Sequence, residues 1–234
     1  MRSTTKKVLL VAVITAFAAL PAFADSYTTS SSFFAAISGL TPTTANFDSD
    51  PVGNIAEGQT VDGITFTYTV DGGAENLAVQ NLFDTTSGTN YLGSNDPGTG
   101  ALFPGDTFTM TFSTPINALG FFIIGGPYSP GDFTLSSSTA TATSSNVLEE
   151  TLGDGGQVIF LGIASNTDFS SATVTLSPSA GELWNVDDIT SAAGPIGTPV
   201  PEPDSFALLA IGLGACLYLG ARKSPAASRP EFRA

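Results

Sequence analysis

Asp187 and Asp188 are adjacent in the apolar run Trp184-Asn185-Val186-Asp187-Asp188-Ile189. In a strand, neighbouring side chains point to opposite faces, so one of the two carboxylates is expected to face inward beside Trp184, Val186 and Ile189. A buried carboxylate needs compensation. No Lys or Arg lies near it in the sequence, which makes Ca2+ a candidate, because calcium takes oxygen ligands from carboxylates and carbonyls. Asp48 and Asp50 are expected to complete that metal site if the first and last strands pair. The competing reading is that Asp187 and Asp188 accept backbone hydrogen bonds at a sheet end. A second constellation, Tyr91, Asn95 and Asp96 in one loop with Tyr128 in another, has the rings and polar groups of a sugar-binding site. These residues read equally well as loop aromatics packed on the rim of a sheet.

Catalysis has few instruments here. The 234 residues include no histidine and one cysteine, which removes His-dependent triads, His-bound zinc, multi-Cys metal sites and an internal disulfide framework. A carboxylate pair, as in glycoside hydrolysis, is the remaining possibility. Glu149 and Glu150 are adjacent and face opposite ways in a strand, and Glu182 stands alone. The expectation is a protein that is not an enzyme.

Charge sorts by position. All seven basic residues lie at the ends: Arg2, Lys6 and Lys7 in front, Arg222, Lys223, Arg229 and Arg233 behind. Between 25 and 200 there is no Lys or Arg. The 21 acidic residues less Glu202, Asp204 and Glu231 leave 18 carboxylates in that stretch. Such a body repels a phosphate backbone, so nucleic acid is excluded as a partner. It attracts cations and resists aggregation.

The elements that must hold these residues are strands. Period-two alternation runs through 64–70, 107–112 and 173–176, each with an apolar face and a threonine face. Further strands are expected at 77–81, 116–124, 132–138, 147–151, 158–164 and 183–190, separated by Gly-, Pro- and Asp-rich turns. About nine short strands at this spacing point to an all-β fold, an antiparallel β-sandwich or jelly roll. One short helix is expected over 32–38, with a serine cap and a stopping glycine. Three Thr-x-Thr runs, 65–69, 107–111 and 139–143, have the form of ice-binding ladders, but they follow no fixed repeat, and threonine also suits the wet face of any strand. The Ser/Thr/Ala stretch 136–145 could accept O-linked glycans.

Both ends read as targeting segments. A basic start, an apolar run over 8–20 and Ala22-Phe23-Ala24 form a secretory signal over 1–24 with cleavage by signal peptidase before Asp25. The ectodomain then spans 25–191 and a Gly/Pro-rich linker 192–199. At the back, Val200-Pro201-Glu202-Pro203 precedes an apolar helix over 206–221 and the basic pair Arg222-Lys223. Sixteen helical residues extend about 24 Å, short of the roughly 30 Å hydrocarbon core, and the basic pair can snorkel. Residues 224–234 form a cytoplasmic tail by the positive-inside rule.

This order of features resembles the PEP-CTERM sorting signal over 200–223. The resemblance implies that Val200, Pro201, Glu202, Pro203, Arg222 and Lys223 are sorting determinants. It also implies that the precursor is held transiently in the inner membrane until an exosortase-type transpeptidase processes it. The family is associated with bacteria that make extracellular polysaccharide. The tail 224–234 is longer than the family's usual ending. The body is similar to the β-sandwich domains found ahead of that signal, through Asn46-Phe47-Asp48, 63–66, 112–121 and Trp184 to Ile189. Those domains look like carbohydrate-binding jelly rolls, in which a structural calcium between end strands is common. The implied role is a secreted, non-catalytic surface or matrix protein that binds polysaccharide with calcium help. A purely structural matrix protein without a ligand site, or a carboxylate-dependent glycoside hydrolase, is the alternative.

Overall fold

The computed structural model describes residues 24–178, 181 and 183–196. The expected signal sequence up to Phe23, including Ala22, lies outside the described residues. So do Glu182, Val200, Pro201, Glu202, Pro203, Arg222, Lys223 and the expected membrane helix.

The described fold is all-β and sandwich-like, with every strand pairing antiparallel. It runs β1 (Ala24–Tyr27), α1 (Ser30–Ala36), β2 (Thr43–Ala45), β3 (Gly53–Ile55), β4 (Thr60–Val61), β5 (Ile64–Val70), β6 (Gly73–Glu75) and β7 (Leu77–Gln80). It continues with β8 (Tyr91–Ser94), β9 (Thr107–Gly125), β10 (Phe133–Ser137), β11 (Thr141–Thr143), β12 (Glu150–Thr151), β13 (Gln157–Leu176) and β14 (Trp184–Ala192). Fourteen strands among the described residues replace the expected nine.

Two pairs of expected strands are each one long strand. The segments 107–112 and 116–124 fuse into β9, and 158–164 and 173–176 fuse into β13. The first half of β9 pairs with β5 and the last part of β13, while its second half pairs with β14 and the first part of β13. Register shifts in β13 around Ala164, Phe169 and Ser171 mark where the ladder changes course, as bulges do at sheet corners. The two halves therefore contribute to two layers. Phe66, Phe108, Met110, Leu135 and Val174 on one side, and Leu119, Phe121, Ile123, Leu161, Val186 and Ile189 on the other, share one buried cluster.

A smaller cluster lies on the other face of the β9–β13–β14 ladder, where α1 packs. Phe33 and Ile37 meet Ala118, Phe160, Ala164, Ala192 and Ile196. The helix fits because Gly120 and Gly162 face each other across β9 and β13. A Cβ on Gly120 would lie 2.5 Å from Phe160 and 3.1 Å from the Phe33 ring. The exposed N-terminus of α1 is met by Glu149, whose Oε1 accepts from the Ser30 amide at 2.7 Å and whose Oε2 accepts from the Ser30 hydroxyl at 2.9 Å. A carboxylate suits that end of a helix. Ile196 is buried in this cluster and the Gly194 amide donates to Asn117 Oδ1 at 2.9 Å. The described part of the expected linker is thus packed against the domain.

Strand β1 and the end of β14 lie in the same row. Asp25 faces Ala164, Ala164 faces Ala118, and Ala118 faces Ala192, across β1, β13, β9 and β14.

Candidate functional site

Strict alternation along β14 would send Asp187 and Asp188 to opposite faces, but the strand does not alternate there. Asp187 is opposite Phe122 and Thr190 is opposite Gly120, so one extra residue is accommodated between them. Asp188 takes the left-handed region at φ 50°. This bulge turns both carboxylates toward the loop that precedes β8. Thr86 Oγ1 lies 2.7 Å from Asp187 Oδ2 and 3.0 Å from Asp188 Oδ2.

Asp187 is wholly buried. Its Oδ2 accepts from the amides of Thr86 and Ser87, each at 3.1 Å, and its Oδ1 accepts from the Asp188 amide at 2.8 Å. Asp188 Oδ1 accepts from the Ser87 hydroxyl at 2.9 Å. Burial, then the charge of Asp188, pushes the Asp187 carboxyl up to about 7, against the opposing pull of Thr86 and the two amides. Asp187 is thus the inward-facing carboxylate and it accepts backbone hydrogen bonds, whereas Asp188, among the described residues, accepts from hydroxyls alone.

Asp48 grips the same loop from its other end. Asp48 Oδ1 accepts from the Thr89 amide at 2.8 Å and the Asn90 amide at 3.1 Å. Gly88 permits this approach, because any Cβ there would run into the Asp48 carboxylate. Asn90 is buried and donates through Nδ2 to the carbonyls of Phe47 and Asp50, each at 3.1 Å. That anchors Phe47 in the left-handed region at φ 60°. Asp50 Oδ2 is buried without a partner among the described residues. Burial, and next the charge of Asp62, raises the Asp50 carboxyl above its usual range.

Three of the four expected metal ligands, Asp48, Asp187 and Asp188, therefore meet one loop through their carboxylates, and Asp50 touches it only through its main-chain carbonyl. Asp187 and Asp188, with the hydroxyls of Thr86 and Ser87, are oxygen donors of the kind calcium accepts. Asp48 engages the amides of Thr89 and Asn90, and the Asp50 carbonyl accepts from Asn90. Among the described residues, no group of three or more His, Cys, Asp or Glu side chains gathers as a metal-binding cluster.

The expected sugar-site residues do not assemble either. Tyr91 is fully buried, which leaves no face of its ring open as a platform. Burial pushes its hydroxyl up to about 12, with the Leu82 backbone acting in the opposite direction. Tyr128 packs edge-on against Phe133, with ring centroids 4.9 Å apart. Asp96 Oδ1 accepts from the amides of Gly98 at 2.7 Å and Thr99 at 3.1 Å, closing its own turn. Asn95 and Asp96 line a recess of about 380 Å³ with Tyr68, Glu75 and Phe103, and neither Tyr91 nor Tyr128 lines it.

Residues that sequence reasoning passed over form a second concavity of the same size. A groove of about 380 Å³ is lined by Phe83, Ile124, Asp154, Leu183, Asn185 and a floor of glycines that includes Gly125, Gly126 and Gly156. Phe83 is 43 % exposed, and its ring lies 6.2 Å from that of Tyr91. Asn185 is 5 % exposed, with no donor to its Oδ1 among the described residues. Two loops of the groove are tied reciprocally. The Asp84 amide donates to Asp154 Oδ2 at 3.1 Å, and the Asp154 amide donates to Asp84 Oδ2 at 3.0 Å. In the sequence the Gly-Gly pairs 125–126 and 155–156 read only as turns, and their role as a floor depends on strands distant in sequence.

Comparison with known proteins adds no relative: no family model matches the chain, and no curated protein matches it.

Proposed function

We propose that the chain is a secreted, surface-sorted, non-catalytic β-sandwich of jelly-roll type. On this reading it belongs to the cell envelope or extracellular polysaccharide matrix, where it binds polysaccharide with calcium help. The observation that carries the proposal is the charge division. A body with no Lys or Arg between 25 and 200 is flanked by ends that hold all seven basic residues. A last strand, β14, that finishes before the Pro-rich approach to the sorting signal supports the same reading.

Under this proposal signal peptidase removes 1–24, and an exosortase-type transpeptidase acts near Pro201, Glu202 and Pro203 after transient retention by 206–221. The groove beside Phe83 supports a polysaccharide contact, since it offers an exposed ring over a floor of glycines. Calcium would be held by Asp187 and Asp188 with the Thr86 and Ser87 hydroxyls, and would supply the positive charge that the body lacks. The test is intact-mass analysis of the protein recovered from the envelope and matrix fractions of a polysaccharide-producing bacterium. The expected product begins at Asp25 and lacks 206–221. A cytosolic product that keeps residues 1–24 would overturn the proposal.

A further inference from the structure

The three threonine runs have no fixed repeat along the chain, yet the sheet register brings threonines together across strands. In one row Thr143 faces Thr134, Thr134 faces Thr175, Thr175 faces Thr107, and Thr107 faces Thr69. The next row is Thr141, Ser136, Thr173, Thr109 and Thr67. A third row is Ser171, Thr111, Thr65 and Thr60. These rows of five, five and four residues contain twelve threonines and two serines, with no other residue type. The intervening positions, such as Leu135, Val174, Phe108 and Met110, face the core and are buried.

Neighbouring strands lie about 4.8 Å apart, and alternate residues along a strand about 6.7 Å apart. The rows therefore form a two-dimensional hydroxyl lattice of roughly 19 by 13 Å. Its side chains hold one another in place: Thr109 and Thr173 hydroxyls are 2.9 Å apart, and those of Thr60 and Thr65 are 2.7 Å apart. Threonine is stiff at χ1, so each methyl and hydroxyl is presented in a limited set of orientations.

Two properties of this face identify its occupant. Its fourteen lattice positions carry no charge, although the 25–200 stretch holds 18 carboxylates (21 less three); Asp168 stands at the margin, in a recess it shares with Ser136, Ser171 and Thr173. The lattice residues include no aromatic platform and no amide or carboxylate to fix a single sugar. A polymer chain repeats in one dimension and would match one row, whereas this face repeats in two. We infer that the threonine face binds the surface of ice, its hydroxyls and methyls ordering the contacting water into a layer continuous with the crystal. This inference is independent of the sorting and polysaccharide readings.

The experiment is ice-recrystallisation inhibition and thermal hysteresis with the full chain. The variants are Thr109→Tyr and Thr173→Tyr, which place a bulky ring at the lattice centre, and Thr151→Tyr, which alters an exposed strand residue outside the lattice. Circular dichroism melts establish that each variant is folded, and sedimentation records self-association. The expected result is inhibition by the wild type and Thr151→Tyr, with at least a tenfold loss in both lattice variants at unchanged melting temperature. Failure of the wild type to restrain ice growth would overturn the inference. So would full activity in folded Thr109→Tyr and Thr173→Tyr, or a face whose only measurable effect is pairing of two copies.

Discussion

Asp48 and Asp187, 139 residues apart in the sequence, hold opposite ends of one six-residue loop, Thr85 to Asn90. Neither has a cation to meet. In a body without Lys or Arg, their partners are backbone amides and hydroxyls, and each such bond to a charged acceptor is stronger than a neutral one. The loop is therefore ordered by two carboxyl groups whose donors are its own amides and hydroxyls. Replacing Asp48 by Ala should leave the Thr89 and Asn90 amides without their acceptor and lower stability by about 1–3 kcal/mol. Chemical denaturation measures it, and a wild-type midpoint for the variant would show that water replaces the carboxylate at no cost.

The pH dependence of folding follows from Asp187. Its carboxyl rises from 3.8 to about 7, chiefly through burial. The native state thus holds this proton more tightly than the unfolded chain does. Its contribution is fully present below the unfolded value near 4 and disappears as pH rises through about 7. Unfolding free energy should fall over that window by on the order of 4 kcal/mol. Asp187→Asn should flatten the decline, and an equally steep slope in that variant would assign the effect to other carboxyls.

Calcium should act in the opposite sense. A divalent ion at Asp187 and Asp188 competes with the Asp187 proton, so stabilisation by millimolar calcium should be larger at pH 8 than at pH 5. Thermal melts with calcium and with chelator read this directly. Identical curves at both pH values would remove calcium from the proposal.

The seat of α1 should be intolerant of one added methyl group. Gly120→Ala places a Cβ against Phe160 and Phe33, and overpacking of this kind costs about 1–3 kcal/mol. Phe33→Ala in the same chain should recover part of the loss, because the two sites are coupled through contact. A double-mutant cycle with purely additive effects would mean that the helix is not held by this notch.

Much of the sandwich is legible in the sequence because alternation is a local signal. The span 64–70 reads with its observed bounds, and the paired threonine faces announce which side is wet. What fails does so for physical reasons. Tyr91 to Ser94 is buried on both faces, so it shows no alternation and passes for a loop. Pro115, in the exposed stretch 113–115, looks like a break, but β9 continues through it as the ladder changes partners. At the acidic pair, the expectation of opposed side chains assumes regular pleating. The bulge at Asp188 depends on the pairing of Thr190 with Gly120 in β9, a partner 70 residues away, and nothing at Asp187 itself encodes it. The threonine lattice is hidden for the same reason: its rows exist in the register, not in the chain.

The row that joins Asp25, Ala164, Ala118 and Ala192 has a mechanical consequence. Three strand spacings separate its ends, about 14 Å, and β1 enters where β14 leaves. Tension drawn between the two ends would pull across the strands and open their bonds in succession, like a zipper, instead of shearing them together. This domain should yield at low force and re-form readily when pulled from those two points.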